Sequence, residues 1–262
     1  MLPRRVAKDR VLVAIPSYGA TMSNETGLAV ANLISHRPDA EVITISTSLL
    51  CLNRNRLWCE ALNRRAGKTP ITHFLFLDAD VAPVGHDWFE VLLREMRRHG
   101  AQVLGAVVPI KNGAGLTSTA RESADPWHPQ PLALAELRDH PETWTEPGLL
   151  VSTGLLLVDF RQPWVERICF TIKDRVVRTP TGVVAEAAPE DWDFCRQARA
   201  LGVSIWATTA VPLKHWGPAW WDSIRSTSSG QPNPAGGIFA ADANLGGLLA
   251  APAQCHQVGD TN

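Results

Sequence analysis

The stretch His73-Phe74-Leu75-Phe76-Leu77-Asp78-Ala79-Asp80 decides the fold. An apolar run this continuous, bounded by polar residues, reads as a central β-strand covered on both faces, and it ends by presenting two carboxylates. In open α/β sheets ligands bind beyond the carboxyl ends of such strands, which is where Asp78 and Asp80 fall. Two hard oxygen donors on a tight bend suit a divalent cation such as Mg²⁺ or Mn²⁺ that keeps positions free for the oxygens of a diphosphate. The bland alternative is a capped turn before the next helix, since acidic residues are common in turns.

Working outward, apolar strands alternate with amphipathic stretches through the first half of the chain. That order predicts an α/β fold, a Rossmann-like and mainly parallel sheet with helices on both faces. Val11 to Ile15 is the first strand, Glu25 to Ser35 a helix, Glu41 to Ser46 a strand, and Arg54 to Arg65 a helix closed by Gly67. The carboxylate strand follows as Thr72 to Leu77. Asp87 to His99 is a helix with acids early, Arg94, Arg97 and Arg98 late, and Gly100 as its stop, the charge order a helix macrodipole favours. Val103 to Val108 is the next strand.

Periodicity then fails from Lys111 to Gly148, which reads as a loop with at most a short helix at Leu132 to Asp139. Leu149 to Phe160 is an apolar strand containing Ser152-Thr153-Gly154, and Phe170 to Val184 is a hairpin turning at Thr179 to Gly182. Glycine weakens a strand, so Gly154 marks a place where a ligand or another backbone comes close. Pro189 to Leu201 is a helix opening on Glu190, Asp191 and Asp193, and Val203 to Ala207 is a final strand. Beyond Ser223 the chain is Ser, Gly, Ala and Pro rich and reads as a flexible tail or lid. The division expected is one catalytic domain over 1–222 and the tail over 223–262.

The 262 residues carry a formal net charge of −1, so charge singles out neither nucleic acid nor an acidic membrane as partner. Five cysteines without CxxC spacing argue against a disulfide framework or zinc ribbon and suit a reducing cytoplasm. No stretch is long and apolar enough to be a membrane span. Arg4, Arg5, Lys8 and Arg10, with Arg64, Arg65 and Lys68, are the residues available for a basic surface facing DNA or anionic lipid, though such runs are usually only solvated faces.

Several of these features recur in one order: Ile15-Pro16-Ser17-Tyr18 closing the first strand, Asn53-Arg54-Asn55-Arg56 on a helix, Asp78-Ala79-Asp80, Ser152-Thr153-Gly154, Glu190-Asp191, and a late His215. Taken together, over about residues 11 to 217, they resemble a GT-A glycosyltransferase, similar to the inverting family-two nucleotide-sugar transferases. The compact size is similar to that of small soluble transferases of phage and bacteria. The resemblance implies a donor-binding half over 10–110 and an acceptor-binding half over 111–222.

It further implies that Asp80 holds a Mn²⁺ or Mg²⁺ ion bridging the diphosphate of a nucleotide sugar, with a UDP-sugar expected, while Asp78 contacts ribose or a metal-bound water. His215 would be a further metal ligand. Pro16, Ser17, Tyr18 and Ala79 would line the nucleotide site, and Arg54, rather than Arg56, would supply a basic contact to the donor. Asp191 is the expected general base and Glu190 the acid that orients acceptor or base, the choice between them being open in the sequence itself. Thr153 and Gly154 would floor an acceptor pocket, with Trp192 and Trp216, alongside the Trp220-Trp221 pair, as platforms for a sugar or base. The acceptor stays open among saccharide, small metabolite, lipid, protein and hydroxymethylated DNA base, because acceptor choice sits in variable loops. Three alternatives stand beside this: a retaining transferase, a sugar nucleotidyltransferase sharing sheet and metal, and an inactive nucleotide-sugar binding module. Ile15 to Gly19 lacks the glycine-rich phosphate loop with which nucleotidyltransferases usually open.

Overall fold

The computed structural model describes residues 9–217 and the backbone of 220–222. The expected tail over 223–262 lies outside the described residues, as do Arg4, Arg5 and Lys8. The fold is mixed α/β and Rossmann-like, with a central sheet flanked by helices.

Strand β1 spans Val11–Ser17 and is buried through Pro16. Helix α1 follows over Asn24–His36, capped by the Ser23 hydroxyl, which accepts from the Thr26 amide at 3.1 Å. Next come β2 (Glu41–Ser46), α2 (Leu50–Arg65) and β3 (His73–Leu77). A short β4 over Val81–Pro83 leads to α3 (Trp88–His99), which Gly100 ends in the left-handed conformation, φ 62°. Then come β5 (Val103–Ala106), β6 (Leu116–Arg121), β7 (Gln130–Ala133), β8 (Thr143–Trp144) and β9 (Leu149–Leu150). The chain continues through β10 (Leu155–Asp159), the hairpin of β11 (Lys173–Thr179) and β12 (Gly182–Ala188), helix α4 (Glu190–Ala200), β13 (Ile205–Thr208), β14 (Leu213–Trp216) and β15 (Trp220–Asp222).

Seven strands form the central sheet in the order β2-β1-β3-β10-β5-β13-β8. β1 pairs in parallel with β2 and β3, and β13 with β5, whereas β10 runs antiparallel to both its neighbours. Leu157 of β10 thus lies opposite Leu75 on one side and Leu104 on the other. The period-two alternation of β3 splits its side chains between two cores. Phe74 and Phe76 join Trp58 of α2 and Phe194 of α4 on one face, while Leu75 and Leu77 join Trp88 and Leu92 of α3 and Leu33 of α1 on the other. On the first face Trp58 meets Phe74 and Phe160 edge-on at 5.1 and 4.9 Å, and its indole N–H donates to the Val165 carbonyl at 2.9 Å.

Three expectations are corrected. The segment from Lys111 to Gly148 is not mainly loop: it contributes β6 and β7, which with β9 form a small sheet, and β8, which joins the edge of the large one. β6 escapes an apolar pattern because two of its inward residues are threonines, Thr117 and Thr119. Thr117 is fully buried and its hydroxyl donates toward the Leu132 and Thr119 carbonyls at 3.0 Å. The short helix allowed within that segment at Leu132 to Asp139 is present as a 3₁₀ turn over Glu136–Arg138. Ser152 to Gly154 is not inside a strand but is the break between β9 and β10, and Val203 to Ala207 is not the last strand, since β14 and β15 follow and β14 pairs with β4.

Candidate active site

β3 delivers Asp78 at the carboxyl edge of the sheet, and the turn closes when the Val81 amide donates to the Asp78 carbonyl at 3.0 Å. The carbonyl of Gly154 accepts from the Asp78 amide at 2.9 Å, so the break after β9 buttresses the carboxylate turn from below. Pairing of β4 with β14 sets His215 opposite Val81, and the Trp216 amide donates to the Asp80 carbonyl at 2.7 Å. A residue 135 positions away in sequence is thereby held beside the turn, its Nε2 3.5 Å from Asp80 Oδ1.

The His215 ring is oriented by a second contact: its Nδ1 lies 2.7 Å from the Pro109 carbonyl. A carbonyl can only accept, so Nδ1 carries the proton and donates, and in the neutral ring Nε2 turns a bare lone pair toward Asp80. Nδ1 tied to a carbonyl and Nε2 facing a carboxylate is the arrangement usual for a metal-ligating histidine. The other Asp80 oxygen is engaged by the ammonium of Lys111. Burial would raise the Asp80 carboxyl, but the His215 ring in its protonated form and the Lys111 ammonium together outweigh it and hold it at about 2. Among the described residues no three His, Cys, Asp or Glu side chains converge on one point. Asp80 and His215 nevertheless fit a divalent cation whose remaining positions come from phosphate and water oxygens, the mode in which Mg²⁺-type ions bind with few protein ligands.

Asp78 has a different partner. Arg54, 2% exposed in α2, places Nη2 3.0–3.1 Å from both Asp78 oxygens and Nε 3.0 Å from Glu190 at the start of α4. Its guanidinium stacks over Phe76 at 5.2 Å. The two carboxylates keep Arg54 firmly charged despite its burial. Burial pushes the Asp78 carboxyl up, Arg54 opposes this, and the Asp80 and Glu190 charges add to the rise. Arg54 is therefore the internal counter-ion of two acids and does not line the open cleft.

Asp191 follows Glu190 in the first turn of α4, and its Oδ1 accepts from the Trp192 amide at 2.8 Å. Burial, with the Glu190 charge beside it, raises this carboxyl to about 7 against the pull of Arg54. Asp193, by contrast, is held below the ordinary range: burial is overcome by hydrogen bonds from Lys173, Thr171 and Gln197.

A cleft of about 1140 Å³ opens above the turn, large enough for a nucleotide-sized ligand. It brings together Pro16, Ser17, Tyr18, Asp78, Ala79, Asp80 and Trp216. Tyr18 is 77% and Trp216 50% exposed, so each offers a ring face at the mouth. Thr153 and Gly154 are buried and do not line it; nor does Trp192, whose indole N–H donates to the Ser118 carbonyl at 3.2 Å. The side chains of Trp220 and Trp221 lie outside the described residues.

Two cleft residues were given no role by the sequence, although Asn53 stands in the Asn53-Arg54-Asn55-Arg56 motif. Asn53 is buried and its amide donates to the Ser17 carbonyl at 3.1 Å, fixing the end of β1. Lys111 stands at the head of a glycine-rich loop and lines the cleft beside Asp80. Neither an apolar period nor a helix cap marks such residues; their tertiary partners, the Ser17 carbonyl and the Asp80 carboxylate, single them out. Of the basic residues considered for DNA or lipid, Arg10 pairs with Glu41, Arg64 with Glu41 and Glu60, and Arg65 with Glu166, so much of that charge is neutralised locally. No described helix is long and apolar enough to cross a membrane.

No family model matches the chain, and no curated protein does. Among solved structures it is similar to A197 from STIV, at 17% identity and TM-score 0.49, covering 79% of this chain and 86% of that one. It is also similar to 4-diphosphocytidyl-2C-methyl-D-erythritol synthase from Anaerococcus prevotii, at 10% identity and TM-score 0.34, covering 61% and 76%. A further 4-diphosphocytidyl-2C-methyl-D-erythritol synthase matches at 12% identity and TM-score 0.33, covering 77% and 88%. Likeness at this level carries no information about activity.

Proposed function

We propose that the chain is a metal-dependent glycosyltransferase that moves a sugar from a nucleoside diphosphate donor, a UDP-sugar foremost, to an acceptor hydroxyl with inversion. The observation that carries this reading is the linkage of the two acid pairs. Asp78 at the end of β3 and Glu190 at the start of α4 share Arg54, which sets a candidate cation site and a candidate base, Asp191, against a common frame. Asp80 and His215 would hold the ion, which when bound offsets charge on the departing diphosphate. Pro16 to Tyr18 would take the base and ribose, with Tyr18 free to stack. A carboxylate raised to about 7 suits general-base work near neutral pH, where it is both substantially ionised and basic enough to accept the acceptor proton. Residues 10–110 would serve the donor and 111–222 the acceptor.

The test is a nucleotide-sugar panel read by thermal shift with and without Mn²⁺, followed by product analysis. The reading expects Mn²⁺-dependent stabilisation by one donor, lost in Asp80→Asn, while Asp191→Asn keeps donor binding and loses turnover. Release of nucleoside diphosphate with inverted product supports it. Pyrophosphate release would make the protein a nucleotidyltransferase, and a retained anomeric centre would remove the role given to Asp191.

A further inference from the structure

Both carboxylates of the Asp78-Ala79-Asp80 turn are matched by a protein cation, but the two pairs are built differently. Arg54 is 2% exposed, is tied to Glu190 as well as Asp78, and cannot leave without stranding two buried acids. Lys111 has its side chain 30% exposed, has Asp80 as its carboxylate partner, and lines the open cleft. Its backbone opens a tip closed by the Ile110 amide donating to the Leu116 carbonyl at 2.8 Å, with Gly113 and Gly115 both left-handed, φ 72° and 68°. A four-carbon stem on that base lets the ammonium change partner by side-chain rotation alone.

The same segment reaches Asp80 a second time. The Pro109 carbonyl, two residues before Lys111, accepts from His215 Nδ1 and leaves Nε2 as a lone pair 3.5 Å from Asp80 Oδ1. Lone pair and carboxylate oxygen both call for a cation, and Lys111 supplies positive charge on the far oxygen only. With Lys111 on Asp80, each acid of the turn has one counter-charge and the cleft offers an entering diphosphate no free ammonium from these two residues.

The geometry points to Lys111 as a displaceable counter-ion, which neutralises Asp80 until a divalent cation arrives and then turns to the phosphate oxygens of the nucleotide. This inference rests on the function proposed above. It makes cation and nucleoside diphosphate bind with positive coupling, because each favours the position of Lys111 that the other needs, and such coupling is reciprocal.

The test measures Mn²⁺ binding by calorimetry and by electron paramagnetic resonance on the full chain, with and without UDP. Wild type is expected to bind Mn²⁺ weakly alone and more tightly with UDP. Lys111→Met is expected to bind Mn²⁺ alone about tenfold more tightly, since a like charge next to the ion is gone, and to show a smaller UDP effect. Lys111→Arg, which keeps the charge, should stay close to wild type in the absence of UDP. Equal or weaker Mn²⁺ affinity in Lys111→Met, or an unchanged UDP effect, overturns the inference while leaving the proposed function standing. Absence of any Mn²⁺ or UDP binding that Asp80→Asn removes would overturn both.

Discussion

Arg54 Nε lies 3.0 Å from Glu190 Oε1 across 136 residues of sequence. Through the same guanidinium Glu190 is bound to Asp78, so helix α2 locks the carboxylate turn of β3 to the first turn of α4. Breaking a buried pair by removing one partner strands the other, at a cost of about 3–5 kcal/mol. Arg54→Met should therefore lose stability of that order in urea denaturation, and Glu190→Gln less. The double variant should lose less than the sum of the two, because Glu190→Gln removes one of the two acids that Arg54→Met strands, Asp78 remaining. Additive effects would mean that Arg54 and Glu190 do not depend on each other.

Asp191 makes a pH prediction. Its folded pKa, about 7, lies above the 3.8 of an ordinary carboxyl, so between those values the folded state holds a proton that the unfolded state has lost. Its contribution falls as pH rises from about 4 to 7 and stays unfavourable above that. Asp191→Asn should thus gain stability at pH 8 by up to about 4 kcal/mol, less as water reaches the carboxylate, and no gain at pH 4. Chemical denaturation at the two pH values separates the outcomes; equal effects at both would show that the carboxyl is not raised.

His73, at the opposite end of β3, has the opposite slope. It is 1% exposed, its Nδ1 sits 2.9 Å from the Thr72 hydroxyl, and burial lowers it to about 4 against the pull of Asp9, with the Arg161 charge adding to the drop. The unfolded chain takes a proton near 6.5 that the folded chain refuses until about 4, so stability is lost as pH falls through that window. The loss is at most about 3 kcal/mol. His73→Gln should flatten the acid side of the stability curve between pH 6.5 and 4, and an unchanged curve would place the acid sensitivity elsewhere.

Much of this was legible in the sequence because its causes are local. β3 declares itself through an apolar run covered on both faces, α3 through its charge order and Gly100, and α4 through acids opening its first turn. The direction of β10 was not legible, since a strand buried on both faces has the same composition whether it runs parallel or antiparallel. β6 was hidden because its inward residues include threonines, Thr117 and Thr119, which pack inside without an apolar signature, the Thr117 hydroxyl being satisfied by carbonyls. At the cleft, Asp78 to Asp80 stand out by their place after a strand, whereas Pro16 to Tyr18 were expected through the family resemblance alone. The partners of those acids were not, because Arg54 meets Glu190 and Lys111 meets Asp80 only through the tertiary fold. Spacing separated Arg54 from Arg56 by helix face but could not say which charges Arg54 would meet.

Gly105 in β5 was not singled out by the sequence, yet it is the tightest close approach among the glycines described. A Cβ built there would lie 2.6 Å from the Val151 Cβ and 3.0 Å from its Cγ2, contacts that only a shift of backbone could relieve. β5 is hydrogen-bonded on both sides, to β10 and β13, so it has little freedom to move. Val151 in turn opens the segment that carries Gly154, whose carbonyl holds the Asp78 amide. Gly105→Ala should therefore destabilise by about 1–3 kcal/mol through overpacking, despite alanine's lower conformational entropy in the unfolded chain. Pushing Val151 outward should also weaken Mn²⁺-dependent stabilisation at Asp80 beyond the loss of global stability. Val151→Ala removes the two methyl groups that crowd the position, Cγ1 and Cγ2, though not the Cβ itself, so the double variant should recover part of the loss. Denaturation of the two single variants and the double decides it: a double variant no more stable than the worse single one would mean that the clash lies with the backbone around β5 and not with Val151.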